Sequence, residues 1–138
     1  MRIVVDANII ISALTGSRAT LVIIASQNHI LYAPKKIVEE ILRHKQDICE
    51  FTGQTSEEFY VNYEALKTFI IILEEAEYAR FMTKALETIS QRDAQDADYI
   101  ACALLKNAEI IWTNDKDFTS QSLIPTKNTK ELIEERKQ

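Results

Sequence analysis

Short, uninterrupted apolar runs alternate along this chain with longer stretches in which apolar positions recur at helical spacing. Ile3-Val4-Val5, bounded by Arg2 and Asp6, is apolar at consecutive positions, as expected of a strand buried on both faces. Asn8 to Leu14 and Ala19 to Ser26 read as helices, the first stopping near Gly16. Ile30-Leu31-Tyr32 is the second strand, and Pro34 suits the first position of a helix running to about Lys45. Thr55-Ser56-Glu57-Glu58 has the form of a capping box and opens a helix reaching about Thr68. Ile70 to Leu73 is the third strand, followed by helical composition from Glu75 to about Ser90 and from Asp93 to Lys106. Ile110-Ile111-Trp112-Thr113 is the fourth strand, and Asn128 to Glu131 offers caps for a short last helix.

Strands alternating with one or two helices predict an α/β fold, a three-layer α/β/α sandwich around a mainly parallel sheet. The 138 residues suit one domain, 1–138, with no repeat, linker or low-complexity segment. Two Gly and two Pro are too few for an all-β chain built on tight turns. Cys49 and Cys102 have no metal-type spacing and read as reduced, buried thiols. No apolar run approaches the ~18 residues of a membrane span, and Asp6 comes too early for a signal peptide; a cytoplasmic protein is expected.

A net charge of −5 excludes a uniformly basic nucleic-acid binder, so the placement of the acids carries the information. In open parallel sheets, ligands bind beyond the carboxyl ends of the strands. Asp6 directly follows the first strand, and Asp115 follows the fourth after Asn114. Glu39/Glu40 and Asp93/Asp96 lie near the starts of helices. If the sheet gathers these ends, four or five carboxylates converge. Such a cluster repels itself unless protonated or neutralised by a hard cation, and Mg²⁺ or Mn²⁺ bound to carboxylates is the usual apparatus of phosphodiester hydrolysis.

Each acid also has a plainer role open to it. Asp6, Asp93 and Asp96 fit helix caps, and Asp115 and Asp117 fit turn chemistry. At ~100° per residue, Asp98 falls about 160° from Asp96, facing solvent or flanking the site. Glu39 and Glu40 each lie about 130° from the centre of the Ile37, Val38, Ile41 and Leu42 face, on opposite sides, so periodicity does not choose between them. Lys36, Arg43 and His44 fall toward the Glu40 side; with Arg18, Lys35 and Lys45 they are the cations available to a phosphate path. Phe59, Tyr60, Tyr63, Leu66 and Phe69 suit either an interface or, more commonly, internal packing.

The order Asp6, Glu40, Asp96, Asp115 resembles the PIN-domain nucleases, particularly the VapC-type toxins. Three stretches carry the resemblance: Ile3 to Leu14, with an Asp and then an Asn two residues on; Arg92 to Leu104, similar to the family's third acidic helix; and Ile111 to Phe118, similar to its last strand and acidic loop. Ala33 stands where relatives often carry Ser or Thr before the proline, and Lys35-Lys36 set the glutamate one place later, so Glu39 stays open. Asn114 before Asp115 likewise leaves open which loop acid serves. The resemblance implies an Mg²⁺- or Mn²⁺-dependent endoribonuclease with an RNA substrate, an inhibitory antitoxin and homodimerisation. It further implies Asp6, Glu40, Asp96 and Asp115 as catalytic acids and metal ligands, with Asp117 and Asp93 auxiliary. Asn8, Ser12 and Thr113 would orient carboxylates or water, and Lys36, Arg43 and Arg18 would meet substrate phosphates.

Two other readings compete. A strand-end Asp also serves as nucleophile in haloacid-dehalogenase-type phosphatases, but those want a second Asp two residues later, where this chain has Asn8. A non-catalytic RNA- or protein-binding module would not need the acid set.

Overall fold

The computed structural model describes residues 1–89, 91–116, 118, 121 and 123–136, with the backbone alone at 91 and 92. Its elements are β1 (Arg2–Val5), α1 (Ala7–Leu14), α2 (Arg18–Ala25), β2 (Ile30–Pro34), α3 (Lys36–Arg43), α4 (Lys45–Thr52), α5 (Ser56–Lys67), β3 (Ile70–Leu73), α6 (Glu75–Tyr78), α7 (Met82–Glu87), α8 (Ala97–Lys106), β4 (Ile110–Trp112), β5 (Thr126–Lys127) and α9 (Thr129–Arg136). All strand pairs are parallel and the sheet order is β3-β2-β1-β4-β5. The expected α/β sandwich is the observed fold. Ile3, Val4 and Val5 of the central strand are completely buried, as a strand with helices on both faces must be.

The chain moves outward from β1 through β2 to β3, then returns to place β4 on the other side of β1. Right-handed crossovers in these opposite directions put α1–α5 on one face and α6–α8 on the other. The packing agrees: α1 touches α2, α3 and α5, whereas α8 covers β1, β2 and β4 and packs on α6 and α7. Helix α8 lies close on the sheet because Ala97, Ala101 and Ala103 are small and buried, and it ends at Asn107 in the left-handed region (φ 53°). Phe59, Tyr63 and Leu66 are buried in the core, so the aromatic face of α5 packs internally; Tyr60 is exposed. Among the described residues no single helix is long and apolar enough to cross a membrane.

Four local expectations are corrected. Pro34 ends β2 instead of opening α3. Lys35 N–H donates to the Leu73 carbonyl (2.9 Å). Because amides alternate sides along a strand, Pro34's nitrogen faces β1, beyond the last β1 pair at Val4 and Tyr32, and no ladder bond is lost. The helix after Pro34 breaks at His44, and α4 follows, turning Ile48 into the core. The helical stretches after Glu75 and before Ala97 are interrupted by 3₁₀ turns at Ala79–Phe81 and Gln91–Asp96. Strand β5 has no sequence signal: its two polar residues carry no apolar pattern and are recruited by the exposed edge of β4.

Candidate metal centre

Because β2 and β4 lie on opposite sides of β1, the sheet changes winding direction between β1 and β4, and a crevice opens beyond their carboxyl ends. Asp6 is the residue after β1, and its amide donates to the Trp112 carbonyl of β4 (3.0 Å). The side chain does not cap α1. It accepts a hydrogen bond from Thr113 Oγ1 at 2.7 Å, and that hydroxyl accepts from the Asp115 amide at 3.0 Å. One threonine side chain therefore fastens the acidic loop to the first-strand acid. Asn114 turns the other way, its Oδ1 accepting from the Thr129 amide at the start of α9 (3.0 Å), which leaves Asp115 to line the crevice. Buried Gln121 braces the far side of the loop through the Leu123 and Ile124 amides.

The other acids come from helices that start at the same end of the sheet. Asp96 precedes α8 and makes no capping bond. Glu40 lies in the second turn of α3, and its Oε2 accepts from Tyr99 Oη on α8 at 2.9 Å. Asp6, Glu40, Asp96 and Asp115 all line one cleft of about 610 Å³, together with Asn8, Glu39, Arg43, His44, Gln95 and Phe118. Glu39 is exposed and Glu40 half-buried, so the choice that periodicity left open falls on Glu40 as the positioned side chain.

The electrostatics show carboxylates under strain. Asp6 is 7% exposed, and burial pushes its carboxyl up to about 6; the Thr113 hydroxyl and Ala7 amide oppose this, while Glu40 and Asp115 add to it. Asp96 is also pushed up to about 6, by burial first and then by Asp6, Asp115 and Asp93, with Lys36 opposing. Burial and the negative field of Glu40 raise the Tyr99 hydroxyl, which stays a neutral donor.

Several expected residues stand elsewhere. Asp93 is buried and outside the cleft lining, although close enough to act on Asp96. Ser12 also lies outside the lining, its carbonyl accepting from Thr15. Arg18 borders a separate groove between α2 and α9, with Val22, Ile133 and Arg136. Lys35 pairs with Glu74 at the surface, and Lys45 lies over the Tyr60 ring. Asp117 lies outside the described residues. Asp98 does not face solvent: it accepts from Tyr78 Oη (2.6 Å) and pairs with Lys36 (3.3 Å). Tyr99 is the participant that sequence reasoning passed over. Its spacing of three from Asp96, on one face of α8, was the available signal.

Among the described residues, no three His, Cys, Asp or Glu side chains stand close enough to share one ion. Unneutralised carboxylates repel, so an ion shared by these acids would have to draw their side chains inward. The donor set nevertheless fits a hard cation: it is all oxygen, two members carry raised proton affinity, and Asn8 Oδ1 at the cleft wall is buried without a hydrogen-bond partner. Cleft acids whose proton affinity is raised by burial and then by each other would gain most from a divalent ion.

No curated protein sequence matches the chain. Its fold is similar to that of a chain in the crystal structure of VapBC2 from Rickettsia felis bound to a DNA fragment from their promoter, with a TM-score of 0.67, 15% identity, and coverage of 93% of this chain and 98% of that one. It is equally similar to a chain of a toxin–antitoxin complex from Klebsiella pneumoniae, with a TM-score of 0.67, 16% identity, and coverage of 91% and 96%. The family model of the PIN domain matches residues 4–137, all but the first three and the last. With the sheet order and the four cleft acids already in place, that match is decisive at the level of family, and the chain belongs to the PIN-domain family.

Proposed function

We propose that the chain is a metal-dependent endoribonuclease acting on single-stranded or structured RNA, and the toxin of a toxin–antitoxin pair. The observation that carries the reading is the convergence of Asp6, Glu40, Asp96 and Asp115 on one cleft at the winding reversal of the sheet. Asp6, Asp96 and Asp115 would hold Mg²⁺ or Mn²⁺, with Asn8 Oδ1 beside them. When bound, such an ion supplies charge to polarise the phosphodiester and to acidify water. Thr113 keeps Asp6 and Asp115 in register. Glu40, held by Tyr99, would orient the attacking water, and Arg43 and His44 at the rim would meet flanking phosphates. The antitoxin partner is proposed on the likeness to solved toxin–antitoxin complexes. Homodimerisation is proposed on the family resemblance, and a monomeric mass by light scattering at micromolar protein would count against it.

The experiment is incubation of the purified chain with defined RNAs in Mg²⁺, Mn²⁺ or EDTA. Cleavage is expected with either ion, lost in EDTA and lost in Asp6→Asn. Cleavage that survives EDTA, or that Asp6→Asn leaves unchanged, would overturn the reading. A second reading is a binding module without catalysis, consistent with the finding that among the described residues no three His, Cys, Asp or Glu side chains stand close enough to share one ion. It predicts no response of thermal stability to divalent ions, whereas a real site at 100 times Kd gains ~2.7 kcal/mol.

A further inference from the structure

Lys36 stands inside the acid cleft and not at its rim. Its Nζ lies 3.3 Å from Asp98 Oδ1 and 3.8 Å from Glu40 Oε1, donates to the Gln95 carbonyl, and sits 5.6 Å from the centre of the Tyr99 ring. The three charged side chains are only 26%, 25% and 19% exposed for Lys36, Glu40 and Asp98. Three elements build this seat. Lys36 and Glu40 are one turn apart on α3, Asp98 is on α8, and Tyr78 of α6 fixes Asp98 Oδ2 at 2.6 Å. Two carboxylates, a carbonyl and a ring face are what a cation site offers, and here a covalently attached cation already fills it.

The consequence falls on Glu40. Its Oε2 is used by Tyr99 and its Oε1 faces Lys36. A divalent ion bound to Glu40 at the ~2 Å expected of Mg²⁺ would sit a few ångströms from the ammonium, and like charges at that distance repel. A second ion would first have to displace Lys36.

We infer that Lys36 is the built-in second cation of the cleft, so that the site takes one divalent ion, through Asp6, Asp96 and Asp115, and Glu40 is a positioned carboxylate outside that ion's ligands. The inference rests on the reading of the cleft as a metal centre. It also moves Lys36 from the expected role of phosphate contact to that of a positioning residue for Glu40.

The test counts Mn²⁺ bound to the purified full chain by calorimetry and by electron paramagnetic resonance, with no substrate present. Wild type is expected to bind one ion per chain, with the spectrum of an isolated Mn²⁺. Lys36→Met removes the charge and keeps the stem; it is expected to bind two, with the signature of a coupled pair. Lys36→Arg keeps the charge and is expected to stay at one. Lys36→Gln replaces the Met variant if that one does not fold. Two ions in wild type, or one ion in a folded uncharged variant, would overturn the inference while leaving the metal centre standing. No ion in wild type would overturn the metal centre itself, and this inference with it.

Discussion

At the residue scale, Asp6 carries an electrostatic cost. Its carboxyl is raised from 3.8 to about 6 in the folded, metal-free chain, mainly by burial. The folded state therefore holds the proton more tightly than the unfolded one. The stability tied to Asp6 is fully present below about pH 4 and is lost as pH rises through about 6. At ~1.4 kcal/mol per pKa unit, the loss at neutral pH is about 3 kcal/mol. In EDTA at pH 7, Asp6→Asn should thus melt higher than wild type, and the difference should vanish near pH 4. Asp96, raised in the same direction, adds to the slope. The same protons compete with metal, so Mn²⁺ affinity should fall below about pH 6. Tyr99 makes a second point at this scale. Tyr99→Phe keeps the buried ring against Phe118 and removes the hydroxyl from Glu40. A hydrogen bond to a charged group contributes ~1.5–3 kcal/mol to stability, so the melting temperature should fall by roughly 5–10 °C, and RNA cleavage should fall as well because Glu40 loses the group that holds it.

At the element scale, ends matter more than interiors. Thr55 Oγ1 accepts from the Glu58 amide at 3.1 Å and Glu58 Oε1 accepts from the Thr55 amide at 3.1 Å, a complete capping box at the start of α5. Thr55→Ala should cost ~1 kcal/mol, lowering the melting temperature by roughly 3–5 °C by calorimetry without changing metal binding. That box was legible because it is local: four consecutive residues and a backbone. The break at His44, the two-residue β5 and the placing of Pro34 were not. The last two depend on partners distant in sequence, Leu73 for the residue after Pro34 and β4 for Thr126 and Lys127. Asp98 shows the same limit. The helical angle separates it from Asp96, but Tyr78 and Lys36, from other elements, bring it to the edge of the site.

At the scale of the whole molecule, the sheet order turns scattered acids into a site. With β2 and β4 flanking β1, the carboxyl ends of β1 and β4 meet at the reversal, and Asp6 and Asp115 arrive with them. A net charge of −5 is then no obstacle to a polyanionic substrate, because acids in the cleft would be covered by a divalent ion and cations remain at its rim. Stabilisation by Mg²⁺ or Mn²⁺ in thermal melts, reversed by chelator and absent in Asp96→Asn, is the expected global signature.

The fold class and the candidate acids are legible in the order of residues alone. Runs of consecutive apolar residues imply strands buried on both faces, helices between them imply parallel crossovers, and an acid at a strand end lies where such sheets bind ligands. That order also carried the family resemblance that the match over residues 4–137 bears out. The tertiary structure alone decided which glutamate is positioned, that Arg18 and Ser12 lie away from the cleft, and that Lys36 faces Glu40 and Asp98. The reason is one of range. Periodicity and capping are set by neighbours within a turn, whereas a partner such as Tyr99, fifty-nine residues from Glu40, exists only once the sheet has brought α3 and α8 together.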